Sequence, residues 1–256
     1  MSNWRMIRVL FVRELLKMVK EPSRLVGIIV QPLIFWVVIG SGFVPSFRVA
    51  DNASLGYQDF FFVGIIAMVI LFSAIFSTIT LIDDRNSGFM QAVLVAPGGR
   101  FALVLGKVLG ISALAMIQAS LLIMIGALCG FSMAQTDWAL LVLFLLLGSM
   151  ALASLGFVFA WGSSSTAAYH ALMGMILIPL WILSGAMFPP DTAWMKVVVL
   201  VNPIAWLVSG LRAAFAGGVA PLGSVVPALT MDVCLIALAI FAAVMIGLGS
   251  WLCRKG

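Results

Sequence analysis

The sequence predicts an all-α integral membrane protein, and three observations carry that reading. The 256 residues are 64% hydrophobic and only 9% charged, where a soluble domain carries about 25% charged residues. The mean hydropathy is +1.22, too apolar for a water-exposed surface at this size. The apolar residues come in long blocks rather than short alternating runs. Blocks of roughly 20 apolar residues suit helices that cross a bilayer and satisfy their own backbone.

Residues 1–22 open with an amphipathic stretch. Trp4, Ile7, Phe11, Leu15 and Met18 recur at i, i+3, i+7, i+11 and i+14, with Arg13, Lys17 and Lys20 opposite. That spacing predicts a helix lying in the membrane interface. Charges spread throughout it, and no cleavable apolar region follows, so it does not read as a signal peptide. Glu21-Pro22-Ser23 then breaks the helix.

Six spans follow, at 25–45, 59–82, 101–131, 138–161, 168–188 and 225–252. Gln31-Pro32 kinks the first, either to line a cavity or only to pack. With the N-terminus cytoplasmic, eleven cations fall on inner segments (Arg5, Arg8, Arg13, Lys17, Lys20, Arg24, Arg85, Arg100, Lys107, Arg254 and Lys255). Only Arg48, Lys196 and Arg212 fall outside. The bias places both termini in the cytoplasm. The net charge of +5 is thereby a topology signal and an anchor to lipid headgroups, and nucleic acid is not an expected partner.

Residues 189–220 are apolar but broken by prolines, and predict two short helices that cannot cross, an outer re-entrant pair before the sixth span. Asn202 is placed to cap the second, with Pro203 at its first position. Trp194 and Trp206 would sit at the outer interface. Asp232 in the sixth span either binds a cation, pairs with Arg212 or reaches water. His170 reads as an interfacial residue, Gly106/Gly110 and Gly126/Gly130 have the spacing of close helix packing, and Cys129, Cys234 and Cys253 read as small apolar residues.

Chemistry of its own is not expected. Gly106-Lys107 is followed by Val108 where a phosphate loop needs Ser or Thr, and Phe101 stands where its first glycine should be. There is no HExxH, no GxSxG and no Cys/His ligand cluster. No catalytic residue, metal site or bound cofactor is assigned.

The stretch 81–100, LIDDRNSGFMQAVLVAPGGR, interrupts this apolar chain. Asp83 and Asp84 start it, where a helix dipole favours acids. Met90, Val93 and Leu94 share one side, and Pro97-Gly98-Gly99 stops it. At about 13 residues such a helix is marginal alone and needs headgroups or a protein groove to pack against.

Here the sequence resembles the ABC-2 type exporter permeases, in their drug and lipo-oligosaccharide branch. Asp84 to Pro97, DRNSGFMQAVLVAP, is similar to that family's E-R-E-x-G-T-x-E-x-L-L-V-T-P, with the Gly88–Pro97 spacing kept. SGAMFPPD (184–191) is similar to its S-G-x-F-F-P stretch. NPIAWLVSGLRAAFAG, from Asn202 and Pro203 through Arg212, is similar to its N-P-[IV]-x-x-[ILM]-x-x-x-R-x-x-[FL] stretch. The resemblance implies a homodimer of permeases on two separate ATPase subunits, which bind the ATP and Mg. It implies that 83–97 is a cytoplasmic coupling helix seated in an ATPase groove through Asp84, Arg85, Gly88, Met90, Gln91, Val93, Leu94 and Pro97. Family glutamates are Asp84, Asn86 and Gln91 here, which shifts the expected contact toward Met90, Val93 and Leu94. It implies export of a hydrophobic or amphiphilic substrate (a drug, lipid or lipo-oligosaccharide) across a bacterial cytoplasmic membrane. Phe35, Phe72, Phe76 and Trp181 suit such a pathway, or simply fill the core or face lipid.

Overall fold

The computed structural model describes residues 3–20, 22–43, 57–96, 98–217, 226 and 228–255. Among the described residues there are ten α-helices and one π-helical turn. In order they are α1 (Asn3–Lys20), α2 (Pro22–Phe43), α3 (Tyr57–Asn86), α4 (Phe89–Val95), α5 (Arg100–Leu128) and α6 (Trp138–Gly162). Then come α7 (Thr166–Trp181) with the π turn Ile182–Ala186, α8 (Ala193–Val201), α9 (Pro203–Phe215) and α10 (Met231–Lys255).

Five helices among the described residues are long and apolar enough to cross a membrane: Tyr57–Asn86, Arg100–Leu128, Trp138–Gly162, Thr166–Ala186 and Met231–Arg254. They fall on the second to sixth predicted spans. The first falls on α2, whose apolar stretch is Val30–Gly40; residues 44 and 45 of that predicted span lie outside the described residues. α8 and α9 meet at 90°. At that corner the sequence reading holds: Asn202 Oδ1 accepts from the Ile204 amide at 3.0 Å, and Pro203 opens α9. Residues 218–220 of the predicted pair lie outside the described residues.

α3 is the axis of the bundle. In its most apolar window 89% of residues are buried, against 22% for α7 with its π turn and 33% for α10. α7 and α10 therefore form the periphery. α7 breaks because Pro179 withholds an amide and the π turn follows. The break is tied back to its neighbours. Trp181 Nε1 donates to Gly64 O at 3.0 Å, and Asn202 Nδ2 to Leu180 O at 2.7 Å.

α1 lies along the N-terminal half of α5. Gly106 and Gly110 make the approach possible: a Cβ on Gly106 would stand 3.0 Å from Ile7 Cα, and one on Gly110 2.8 Å from Glu14 Cβ. This pair is the close-packing device its spacing predicts. Gly106→Leu is expected to push α1 off α5 and lower stability by about 1–3 kcal/mol, read as a fall in the thermal midpoint of the purified protein. An unchanged midpoint would show that α1 does not depend on this seat.

The buried side of α1 differs from the predicted one. Met6, Leu10, Glu14 and Met18 are buried, while Trp4 is 70% exposed. Arg13 and Lys17, expected on the polar side opposite the membrane-facing residues, reach into the protein to Asp84. The reason is electrostatic and lies at the C-terminal end of α3.

Candidate functional site

α3 continues straight through Asp83 and Asp84 to Asn86. The pair therefore closes α3 and does not open a new helix, and the predicted 83–97 helix is corrected to α4, Phe89–Val95. The chain turns at Gly88, where φ is 76°, a left-handed conformation that glycine adopts without strain. The Gly88 amide donates to Arg85 O at 3.2 Å, and the Gln91 amide to Gly88 O at 3.1 Å.

Asp84 is 3% exposed and sits in a cage of cations. Arg13 donates to both of its oxygens at 2.6 Å, a bidentate pair. Lys17 Nζ donates to Oδ1 at 2.7 Å, and Lys107 Nζ to Oδ2 at 2.5 Å. Lys107, 1% exposed, also donates to Glu14 Oε1 at 2.6 Å. Glu14 accepts from Thr80 Oγ1 at 3.1 Å through its other oxygen. Two carboxylates and three cations thus lock α1, α3 and α5 together in a largely water-excluded place. Hydrogen bonding to Asp84 holds the Arg13 guanidinium above its ordinary pKa. Burial pulls the Lys17 ammonium down, against the opposing bond to Asp84.

Glu14, Thr80 and Lys107 were missed in the sequence as site residues. The signals were there: one lysine two turns into an apolar span, and the one acid on α1. A charge inside an apolar helix needs a partner, and these two serve each other.

α4 rests on this cluster. Met90 is 1% exposed, and Val93 and Leu94 are half-buried. The Arg13 guanidinium stacks on the Phe89 ring at 3.7 Å from its centroid. Arg100 Nη1 donates to Leu94 O at 2.7 Å, a cation at the carbonyl end of the helix. The predicted Met90–Val93–Leu94 face is a real face, but it packs inward. The exposed side is Gln91, Ala92 and Val95, with Val95 84% exposed. Arg85 is also committed inward: it donates to Trp161 O at 2.8 Å and to Ser163 O, tying α3 to the end of α6. Pro97 lies outside the described residues.

The predicted pathway residues separate. Phe72 and Phe76 lie 6.0 Å apart on α3, and exposed His170 of α7 stands 5.9 Å from Phe76. Trp181 is 3% exposed and held by Gly64, about two turns further along α3. Phe35 is half-buried on α2. Arg212 is 4% exposed, donates to Phe60 O and Ala186 O at 3.3 Å each, and stacks on Phe60. Asp232 is exposed and forms no ion pair with Arg212 among the described residues.

Residues 5–216 match the family of ABC-2 type transporters. Three curated relatives align over 210 residues, covering 80% of this chain and 72% of each relative. They are described as putative transport permease ycf38, from Cyanophora paradoxa at 27% identity, Porphyra purpurea at 24% and Pyropia yezoensis at 23%.

Proposed function

Since the chain belongs to the ABC-2 type transporter family, a family of multi-pass membrane permeases, we propose that it is the membrane subunit of an ATP-driven exporter. Two copies would sit on two ATPase subunits, which hold the ATP and Mg. The substrate is a hydrophobic or amphiphilic molecule moved outward across a bacterial-type cytoplasmic membrane, with both termini cytoplasmic. α8 and α9 form the outer re-entrant pair.

The observation that carries the reading is the construction of α4. A seven-residue helix is too short to stand alone. Here one side is clamped by Met90, Arg13 and Arg100, and the other offers Gln91, Ala92 and Val95 outward. The ion cluster behind it makes α1, α3 and α5 one body, so a push on α4 reaches the axial helix of the bundle. Lightly buried α7, with Met175 79% exposed and Ile178 45% exposed, supports a second copy or a greasy substrate beside Phe72 and Phe76.

The test is reconstitution with a partner ATPase in sealed vesicles, following a fluorescent amphiphile. Movement should require ATP and stop when the ATPase is catalytically inactive. Movement that persists without ATP would instead identify a secondary transporter or channel.

A further inference from the structure

The side of α1 that faces away from α5 has an unusual composition. Val9, Val12, Leu16 and Val19 form an apolar stripe at i, i+3, i+7 and i+10, each 42–73% exposed. A shallow, wide-open cavity lies along this side, bounded among the described residues by α1 alone. Among the described residues, its apolar lining is Val9, Val12 and Leu16, and the others are cationic: Arg5, Arg8, Arg13, Lys17 and Lys20. No acid is among the described residues that line it.

The protein itself accounts for only part of this lining, through the Asp84 bonds of Arg13 and Lys17. Arg5, Arg8 and Lys20 form no ion pair among the described residues. Arg13 and Lys17 bond Asp84 on one side and border the cavity on the other. The buried cluster behind them holds three cations and two carboxylates, leaving one positive charge unmatched. An acidic protein loop would satisfy the cations but not the valines and leucine. An apolar helix would do the reverse. A molecule with an anionic head and a hydrocarbon tail satisfies both.

We propose that this cavity is a binding site for an anionic phospholipid, with its phosphate among the cations and its chain along Val9, Val12 and Leu16. The headgroup shares Arg13 and Lys17 with Asp84. Lipid occupancy therefore acts on the same cluster that braces α4, and membrane composition tunes how firmly α1 is held to α3 and α5. The inference rests on the cytoplasmic N-terminus proposed above and on α1 lying at that membrane surface, as its sequence predicts, but on no ATPase partner.

The experiment uses the full chain alone in neutral detergent, titrated with phosphatidylglycerol, phosphatidylcholine or soluble glycerol phosphate. Lipid retention is read by native mass spectrometry and stability by the thermal midpoint. Phosphatidylglycerol should be retained and raise the midpoint; phosphatidylcholine and glycerol phosphate should do neither. The triple variant Arg5→Gln/Arg8→Gln/Lys20→Gln should lose about tenfold or more in phosphatidylglycerol affinity, while Arg254→Gln, outside the cavity, should not. Equal retention of the two lipids, or an unchanged affinity in the triple variant, overturns the proposal. So does an equal shift with glycerol phosphate, which would make the site one for free phosphate. In a separate co-purification with an ATPase subunit, loss of that subunit by a triple variant that keeps its lipid would make the subunit the occupant and overturn the proposal. Should the variant misfold, the wild-type lipid comparison still decides. Because no ATPase is present in the lipid measurement, its failure is distinct from failure of the exporter reading.

Discussion

Lys107→Met should lower stability by about 3–5 kcal/mol, the usual consequence of removing one partner from a buried ion pair. Methionine fits the volume of the lysine stem, so packing is largely kept and the loss is electrostatic. The cost falls unevenly. Asp84 keeps both Arg13 bonds and the Lys17 bond. Glu14 keeps only Thr80 at 3.1 Å and a looser Arg13 contact at 3.7 Å. A carboxylate 2% exposed cannot hold its charge cheaply with so little. The double variant Lys107→Met/Glu14→Gln removes that stranded charge and should recover a good part of the loss, a coupling of about 0.5–3 kcal/mol. Thermal unfolding of the four proteins in one detergent measures the cycle. Strict additivity of the two single changes would show that Lys107 and Glu14 do not act as a pair.

This cluster also marks where the sequence stopped being legible. The spans were readable because hydropathy over about 20 residues depends on no partner. The Asn202-Pro203 corner was readable because a cap is local. The rotations of α1 and α4 were not. α1 carries apolar residues on two sides, Met6, Leu10 and Met18 on one and Val9, Val12 and Leu16 on another, so periodicity could not choose between them. The choice was made by Glu14, which has to reach Lys107 on α5. Likewise the acidic pair 83–84 reads as a helix start when only the dipole is considered. Once Arg13, Lys17 and Lys107 surround Asp84, α3 can run on to Asn86, and the break waits for Gly88. Long-range ion pairing, between Glu14 and Lys107 at a sequence separation of 93, overrode two local signals.

The same correction moves the expected contact with an ATPase. Met90 cannot touch a partner directly, since it is 1% exposed, and changing it to Asp would unseat α4 whatever its role. Val95 is the informative position. It is 84% exposed, so Val95→Asp should leave the stability of the isolated permease, read by its thermal midpoint, within about 0.5 kcal/mol of wild type. In an assembled transporter the same change would place an unpaired carboxylate in the groove that receives α4. Desolvating it should weaken assembly by about 2 kcal/mol or more, roughly thirtyfold in affinity. ATP hydrolysis should then no longer respond to the permease, although the permease stays folded. Gln91→Ala, on the same exposed side, should have a smaller effect, because it removes contact without burying a charge. Co-purification and permease-stimulated ATP hydrolysis read both. If Val95→Asp retains the ATPase with full stimulation, α4 does not enter a partner groove, and the force must arrive elsewhere on the bundle. If it loses the ATPase while the midpoint holds, the contact is the Gln91–Ala92–Val95 side, and the ion cluster beneath is the support against which that contact pushes.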